Sequence, residues 1–509
     1  MAGKVWLVGA GPSDVGLLTV KGKEILEQAQ VVVYDRLVGD SILNLISPKA
    51  QKIDVGKRAG NHTMIQEEIN KLLLTLALEG KQVVRLKGGD PFLFGRGAEE
   101  LELLAEHEIE FEIVPGVTSA IAVPAYNGIP VTHRAYASSV HIITGHKKKG
   151  EILELDFEAL IRIKGTLVFL MGVSALSDIC QGLLRAGIQE DMPAAMLQQG
   201  TTAGQKKIIA TVSSLEQEVA HQGMITPAII VVGEVCALGR KFEWYEKKPL
   251  FGKKILVTRP KERSGVLSGK LRKEGAEVLE IASIRTEAIL NNQKFYLELE
   301  HLGEYQYLVF TSPAGVVFFF QGLKAYGKDI RSIGLAKIGA IGQGTAKELQ
   351  NRGLNCDLIP DTYDGAHLGM LLGEEAKDGD RILIPRALHG SEELIDEILK
   401  RAKVSITDLP VYETKYEIWE EQTNLKEQLE QGMIDMAVFT SASTVKGFAE
   451  GSKGLNITKI PAICIGKQTK AAAEAIGMKT WMAQKAELDS LVECCISQAE
   501  IRKEECKWR

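Results

Sequence analysis

The chain has 509 residues, of which 45% are hydrophobic and 25% charged, and its formal net charge at pH 7 is −5. This length favours more than one domain, and the composition is that of an ordinary globular protein. The negative net charge does not favour binding to nucleic acid. The sequence has no run of about 18 apolar residues, so we expect no membrane span.

The opening residues and the cysteines indicate the cellular compartment in which we expect the protein. The segment MAGKVWLVGAGPSD reaches glycine, proline and aspartate too soon for the apolar core of a signal peptide. The seven cysteines form no CxxC pair, and no histidine–cysteine cluster has zinc spacing. We therefore expect free thiols in a reducing cytoplasm and no metal site.

The first predicted element is a strand that runs into a glycine-rich turn and a helix, VWLVGAGPSDVGLLTVKG at 5–22. Gly9 and Gly11 fit the first two places of the dinucleotide fingerprint GxGxxG, but Asp14 stands in the third. An acidic side chain there would repel a pyrophosphate, so a dinucleotide ligand is not expected. A tight strand–helix connection without any ligand is the alternative interpretation.

Short apolar runs that end in glycine or aspartate recur along the first half, at 31–35, 82–90, 166–173 and 228–235. With helical patterns between them, they predict mostly parallel sheets that are buried on both faces. Ligands of such α/β sheets bind beyond the carboxyl ends of the strands. Most of the glycine motifs lie at these positions.

Three motifs in the first half are highly specific: YDRLV at 34–38, RLKGGDPFLFGRG at 85–97 and GIPVTHR at 128–134. With the opening turn, they closely resemble the tetrapyrrole methylase family, and within it the uroporphyrinogen-III C-methyltransferases. The resemblance covers residues 4–245. It implies an α/β fold of two domains with S-adenosylmethionine in the cleft between them, S-adenosylhomocysteine as product, and a homodimer.

The resemblance also implies which residues bind the methyl donor. Glycines leave room for a cofactor, a carboxylate accepts hydrogen bonds, and methionine offers a soft apolar contact. Any one of the glycines can instead be required only by a turn. The implied donor-binding residues are Pro12, Gly88, Gly89, Asp90, Leu93, Thr118, Ser119, Met171 and Gly200.

The opening turn departs from the family pattern at two positions. The family usually has glycine where Ser13 stands, and often proline or alanine where Val15 stands. Pro12 fixes the turn and can start the following helix, and Ser13 is small enough to cap it. We therefore expect the turn to keep its function.

The implied reaction transfers methyl groups to C2 and C7 of uroporphyrinogen III and gives precorrin-2, for sirohaem or cobalamin synthesis. By family position, Asp35 accepts a proton and Lys57 donates one. The alternatives are that Asp35 forms an ion pair with Arg36 or Arg58, and that Lys57 binds a substrate carboxylate.

The substrate carries many carboxylates, and cations are needed to bind them. We predict this role for Arg58, Arg96, His133 and Arg134, and we interpret the lysines of 146–149 as a solvated loop.

A charged segment that contains glycine and proline follows at 237–254. After it, a predicted strand opens a second unit of the chain. We place the methylase at 1–240, a linker at 241–252 and a second unit at 253–509.

The second unit contains a weak internal repeat. The segment YLVFTSPAG at 307–315 resembles MAVFTSAST at 436–444, and each copy later has an IGxxT turn before a helix.

The repeat, together with the segment 253–278, IPRA at 384–387 and LPVYET at 409–414, resembles the uroporphyrinogen-III synthase family. The resemblance implies two flavodoxin-like lobes joined by two strands. Lobe 1 would comprise 253–287 and 415–509, and lobe 2 would comprise 288–414. The implied reaction closes hydroxymethylbilane while inverting one ring, which is mainly a problem of orientation.

Hydrogen-bond donors and cations suit that substrate, and a phenol can act as the acid that helps the hydroxyl leave. The serines and threonines can instead be plain helix caps, and the tyrosine can be structural. We predict donors at Thr311, Ser312, Thr345, Ser441 and Thr469, cations at Arg259 and Arg386, and the acid at Tyr412.

The leading hypothesis is therefore a bifunctional enzyme of tetrapyrrole biosynthesis that acts on small molecules and binds neither nucleic acid nor membrane. One alternative is an active methylase with a degenerate synthase domain. Another is a second half that binds tetrapyrroles or a partner without turnover. A dehydrogenase comes last, because no complete GxGxxG follows a strand.

Overall fold

The computed structural model describes residues 2–47, 49–56, 64–145, 154–258, 265–289, 293–417, 419 and 423–507. Within these residues the chain forms four five-stranded sheets, two in each half. Helices pack against the sheets, so the molecule is of the α/β class. No helix in the described ranges is both long and apolar enough to cross a membrane.

The first sheet is entirely parallel, with the strand order β3-β2-β4-β1-β5. Its inner strands carry the apolar runs of the sequence and are buried. Its elements are β1 (Lys4–Gly9), α1 (Val20–Gln28), β2 (Val31–Tyr34), α2 (Asp40–Leu43), β3 (Gln51–Asp54), α3 (Gln66–Leu78), β4 (Val83–Lys87), α4 (Gly97–Glu106) and β5 (Glu110–Val114).

The second sheet has the order β6-β7-β10-β8-β9, and only β6 and β7 pair in parallel. The prediction of mostly parallel strands is therefore wrong here. Only residues 199–205 connect β8 to β9, which is too short for the helical crossover that a parallel pair needs. The elements are α5 (Ser119–Tyr126), β6 (Val140–Thr144), α6 (Phe157–Arg162), β7 (Thr166–Leu170), α7 (Leu176–Arg185), β8 (Pro193–Gln198), β9 (Lys206–Thr211), α8 (Leu215–Gln222) and β10 (Ala228–Val232).

The segment at 241–252 packs against both halves of the chain. Tyr245 and Leu250 are buried, and the Trp244 indole donates to the Ala125 carbonyl over 2.9 Å. On the other side, Lys248 Nζ donates to the Lys273 carbonyl over 2.7 Å. The connection is therefore a packed turn structure.

The second half alternates strands and helices. Its elements are β11 (Lys254–Thr258), α9 (Gly265–Lys273), β12 (Glu277–Ile281), β13 (Ile284–Ala288), α10 (Gln293–Glu300), β14 (Tyr307–Phe310), α11 (Pro313–Ala325), β15 (Lys337–Ala340), α12 (Gln343–Gln350), α13 (Gly365–Glu375), β16 (Arg381–Ala387), α14 (Glu393–Leu399), β17 (Ser405–Tyr416), α15 (Thr423–Glu430), β18 (Met436–Phe439), α16 (Ala442–Gly451), β19 (Ala462–Cys464), α17 (Lys467–Ala475), β20 (Thr480–Met482) and α18 (Leu488–Lys507).

These strands form two sheets. The third sheet is parallel in the order β12-β11-β18-β19-β20, and β12 stands at its edge. The fourth has the order β13-β17-β16-β14-β15, in which only the pair of β13 and β17 is antiparallel. The third sheet draws its strands from both ends of the second half, whereas the strands of the fourth all come from its middle, between residues 284 and 416. The boundaries placed at 240, 252, 287 and 414 stay predictions.

Candidate functional site

Three glycine turns meet at the carboxyl edge of the first sheet. The amides and carbonyls of Gly11 and Gly89 exchange hydrogen bonds of 3.1 and 3.0 Å. A Cβ atom on Gly9 would lie 2.5 Å from the Cα of Gly116, and one on Gly116 would lie 2.2 Å from the Gly89 carbonyl oxygen. The turns after β1, β4 and β5 can therefore approach this closely only as glycines.

The two glycines after β4 serve different purposes. A Cβ atom on Gly88 would lie 2.6 Å from the Cβ of Leu37, so this glycine is required by packing. Gly89 has φ +67°, and no atom lies within 4 Å of the place where its Cβ would stand. The open space beside Gly89 is a cradle in which a ligand can approach the backbone.

The Asp90 carboxylate shapes the loop that follows. Its Oδ1 accepts the backbone N–H groups of Phe92 (2.9 Å) and Leu93 (3.1 Å), and its Oδ2 accepts that of Gly116 (3.0 Å). The side chain thus holds the turn after β4 against the turn after β5. Leu93 is presented from a loop that is fixed in this way.

The turn at Pro12 joins the two sheets of the first half. The Thr201 hydroxyl donates to the Pro12 carbonyl. The Tyr126 hydroxyl donates to Asp14 Oδ2 over 2.8 Å, and burial, followed by the Asp14 charge, raises the pKa of Tyr126 above its ordinary range. Asp14, whose charge would repel a pyrophosphate, therefore also stabilises the turn through its hydrogen bonds.

Two expectations about this turn are wrong. The cap is Asp14, whose Oδ1 accepts the Gly16 N–H over 2.8 Å, and the short helix begins at Val15 and not at Pro12. Ser13 has φ +77°, a conformation that glycine adopts most easily. This explains why glycine is usual at position 13.

The other predicted donor-binding residues lie at the starts of helices or in strained turns. Thr118 caps α5 by accepting the Ala120 N–H over 3.2 Å, and Ser119 follows it. Met171 follows β7 with φ +57° and a half-exposed side chain. A Cβ atom on Gly200 would lie 2.4 Å from Val123 of α5.

Backbone strain is concentrated in the predicted donor-binding motifs. Non-glycine residues with positive φ are uncommon, and they cluster at ligand sites when the surrounding structure can hold them. Most of those in the described structure fall in or beside the predicted donor motifs: Ser13, Phe94, Arg96, Met171, Gln199 and Thr201.

Asp35 stands at the carboxyl end of β2. Its Oδ1 accepts the Leu37 N–H over 3.1 Å, and its Oδ2 lies 3.4 Å from Nη2 of Arg85. Asp35 is therefore paired with a residue of β4, Arg85, which was not among its predicted partners. Lys57 lies outside the described residues.

A buried cluster of charges, which was not predicted from the sequence, contacts Asp35 through Arg85. Glu100 Oε1 accepts from Arg85 Nε over 3.1 Å and from Lys87 Nζ over 2.7 Å. Burial, followed by repulsion from Arg85, lowers the pKa of Lys87. The available signal was two cations within an apolar strand, because buried charges need partners.

The predicted substrate cations of the first half differ in their surroundings. Arg96 forms a bidentate pair with Glu99, with distances of 2.9 and 2.6 Å. His133 Nδ1 accepts the Ala135 N–H over 3.1 Å, and Arg134 is exposed. Arg58 and the lysines of 146–149 lie in ranges that the structure does not describe.

In the second half, the structure brings Tyr412 and Ser312 together. The two hydroxyl oxygens are 3.0 Å apart, and the Tyr412 ring stacks on Phe318 with centroids 5.4 Å apart. Ser312 caps α11 by accepting the Gly315 N–H over 3.0 Å. The phenol therefore lies at a helix N-terminus, with Thr311 beside it.

The repeated motifs are built alike. Ser441 caps α16 just as Ser312 caps α11. Thr345 and Thr469 are not caps, because Gly342 and Gly466 hold those positions and both threonines are buried in the first turn. The interpretation as plain caps thus applies to the serines and not to these threonines.

Arg386 forms a buried ion pair in this structure. It is only 5% exposed, and its Nε and Nη2 donate to the two carboxylate oxygens of Asp408 over 2.7 and 2.6 Å. Such a bidentate pair satisfies the planar guanidinium. The contact of Arg386 with the substrate stays a prediction. Arg259 lies outside the described residues.

Comparisons with known proteins agree with the two-part organisation. The model of the Tetrapyrrole (Corrin/Porphyrin) Methylases matches residues 4–216, and that of Uroporphyrinogen-III synthase HemD matches residues 265–493. The chain is 47% identical over 491 residues to the porphyrin biosynthesis protein HemD of Ruminiclostridium josui, covering 96% of this chain and 97% of that protein. The chain belongs to the tetrapyrrole methylases, fused to uroporphyrinogen-III synthase.

Further similarities lie in the methylase half and beyond it. The uroporphyrinogen-III C-methyltransferase of Bacillus subtilis is 44% identical over 353 residues, covering 69% of this chain and 72% of that protein. The crystal structure of uroporphyrin-III C-methyltransferase from Thermus thermophilus complexed with S-adenosylhomocysteine is 38% identical, with a TM-score of 0.41, and covers 46% of this chain and 100% of that one.

Membership of these families gives the chain its general role. It is a fusion enzyme of tetrapyrrole biosynthesis, with a C-methyltransferase half and a synthase half. The methylase half takes S-adenosylmethionine as its methyl donor. The open cradle at Gly89 is compatible with a ligand that has no phosphate, because Asp14 occupies the place where a pyrophosphate turn would need glycine.

Proposed function

We propose that this enzyme cyclises hydroxymethylbilane to uroporphyrinogen III and then methylates C2 and C7 to give precorrin-2, for sirohaem or cobalamin synthesis. The observation that carries the proposal is the presence of both families in one chain, where the product of one is the substrate of the other. The Ruminiclostridium josui relative aligns with 96% of this chain, and the alignment therefore spans both halves.

We assign the methyl donor to the open space beside the glycine turns. S-adenosylmethionine supplies a methyl group on a positively charged sulfur, and the residues of the chain must hold it in line with the nucleophilic ring carbon. Rigid turns suit this task, and the three backbone segments at Gly9, Gly89 and Gly116 are in close contact. The proposed contacts are Pro12, Gly88, Gly89, Asp90, Leu93, Thr118, Ser119, Met171 and Gly200.

We assign proton transfer from the methylated macrocycle to Asp35. Its carboxylate lies at the same sheet edge as the glycine turns, because β2 and β4 are neighbours. Arg85 and the Leu37 amide fix the orientation of its two oxygens. A fixed carboxylate can accept a proton without first reorganising. Lys57 remains the proposed donor, and Arg58, Arg96, His133 and Arg134 remain the proposed substrate cations.

In the synthase half we assign the acid to Tyr412. The substrate loses its hydroxyl as water before the ring closes, so a proton must reach the leaving oxygen. Donation from the Ser312 hydroxyl to the Tyr412 oxygen would polarise the phenol and make its own O–H a better donor. The remaining proposed contacts of the substrate carboxylates are Thr311, Thr345, Ser441, Thr469, Arg259 and Arg386.

Supplying the purified full-length enzyme with hydroxymethylbilane and S-adenosylmethionine tests both halves. We expect precorrin-2, with two S-adenosylhomocysteine molecules released per macrocycle, as measured by mass spectrometry. Formation of the type-I macrocycle alone would refute the synthase half and favour a degenerate module. Uroporphyrinogen III that stays unmethylated would refute the methylase half.

Light scattering of the same sample should give twice the mass of the chain, because we also infer a homodimer.

A further inference from the structure

The edge strand of the third sheet docks on the methylase half. The hydroxyl of Ser41 donates to the Val278 carbonyl over 2.8 Å, and the Asn44 amide donates to the Glu280 carbonyl over 2.6 Å. An edge strand otherwise presents unpaired carbonyls. The segment that begins with α2 therefore covers the edge of β12.

Glu277, at the start of the same strand, reaches a different methylase loop. Its Oε2 accepts the backbone N–H of Ala203 over 2.8 Å, and its Oε1 lies 2.7 Å from Lys254 Nζ. Both side chains are largely shielded from solvent, with exposures of 21% and 12%. A charge-assisted hydrogen bond in such surroundings is stronger than an exposed one.

A continuous set of contacts links Glu277 back to α2. Lys254 Nζ donates to Gln428 Oε1 over 3.0 Å, and Gln428 Nε2 donates to Asp40 Oδ2 over 2.7 Å. Gln428 is buried. Three residues of the synthase half thus bridge two segments of the methylase half, namely the start of α2 and the loop that contains Ala203.

The loop at 199–205 is strained and belongs to the proposed donor site. Gln199 and Thr201 have φ of +44° and +72°, and for a β-branched residue this is an outlier. Thr201 is held by its contact with the Pro12 carbonyl and by Gln205 Oε1, which accepts its N–H over 2.9 Å. A strained loop keeps its shape only while such contacts persist.

We propose that Glu277, a residue of the synthase half, is a positioning residue of the methyl-donor site. By accepting the Ala203 N–H, it holds the 199–205 loop in the shape that brings Gly200 and the Thr201–Pro12 contact to the donor. The proposal rests on the donor site assigned above. Because coupling between sites is reciprocal, donor binding will also tighten the docking of β12.

The test uses full-length variants and calorimetry with S-adenosylhomocysteine. We expect Glu277→Ala to weaken binding roughly tenfold, because a hydrogen bond to a charged group is lost from the loop. Glu277→Gln keeps a side-chain oxygen that can accept the Ala203 N–H, so it should recover most of the affinity. The control is Glu280→Ala on the same strand, which removes only an ion pair with Arg272 and should bind like the wild type.

Two further measurements distinguish a local effect of Glu277 on the 199–205 loop from a general destabilisation of the enzyme. In Glu277→Ala, KM for S-adenosylmethionine should rise more than kcat falls, while bilane consumption stays unchanged. Hydrogen exchange of a peptide spanning 199–205 should quicken in the absence of ligand.

Unchanged affinity in Glu277→Ala would overturn the proposal while leaving the proposed function intact. An equal loss in Glu280→Ala, or no recovery in Glu277→Gln, would also overturn it. Failure of the wild type to bind S-adenosylhomocysteine would refute the donor site itself.

Discussion

Arg85 and Lys87 are cations in the centre of a parallel sheet, where an unpaired charge would be strongly destabilising. Glu100, fully buried on α4, accepts from both of them. Arg85 in turn lies against Asp35. One carboxylate therefore stabilises the cation that orients the proposed proton acceptor.

We expect Glu100→Ala to lower the free energy of unfolding by about 3–5 kcal/mol, because it leaves Arg85 and Lys87 buried without their shared carboxylate. The matched control is Glu99→Ala on the same helix, which removes only an exposed pair with Arg96 and should cost about 0.2–1 kcal/mol. Urea denaturation of both variants measures the difference. Equal destabilisation would contradict the role given to the buried cluster.

At the level of elements, the two copies of the repeat begin their helices in the same way. Ser312 and Ser441 both accept the amide three residues later. Gly342 and Gly466 stand at the caps of the helices that follow the second motif. Similar local sequences thus produce the same local hydrogen bonds in two different sheets.

Because a lost serine cap typically costs about 1 kcal/mol, we expect Ser312→Ala to destabilise the enzyme by that amount. It should also slow bilane consumption, since the hydroxyl contacts Tyr412. Gln321→Ala, on the exposed face of the same helix, is the control and should change stability by less than about 0.5 kcal/mol. Thermal unfolding and a synthase assay give the two readouts, and full synthase activity in Ser312→Ala would argue against the assignment of Tyr412.

On the scale of the whole molecule, the two halves are joined by a packed segment and by the edge of β12. Trp244 contacts Tyr126 and Tyr245, with ring centroids 5.3 and 5.5 Å apart. Tyr126 also donates to Asp14 in the opening turn. The aromatic residues that follow the methylase therefore lie next to one of its ligand turns.

We expect Trp244→Ala to release this segment, because the indole N–H donates to the Ala125 carbonyl and the ring contacts two tyrosines. Loss of one hydrogen bond and the aromatic contacts amounts to roughly 1–3 kcal/mol of local stability. Limited proteolysis should then cleave within 241–252 several times faster. Phe242→Ala is the control, and equal cleavage in both variants would contradict the specific role of Trp244.

Much of the fold was predictable because buried strands carry continuous apolar runs. The runs at 31–35, 82–90, 166–173 and 228–235 correspond to β2, β4, β7 and β10. Pairing direction was not predictable for the second sheet, since an apolar run reads the same in a parallel and in an antiparallel ladder. The short connection between β8 and β9 accounts for one of the three antiparallel pairs, and β10 forms the other two.

The motifs alone determined the two families, the α/β class and the strand ends at which ligands bind, because glycine turns and apolar periods are local properties of the chain. Only the tertiary structure decided which side chains meet. Arg386 and Asp408 are 22 residues apart, and Glu277 and Ala203 are 74 residues apart. No local pattern encodes such contacts, since they depend on how whole sheets and loops pack against one another.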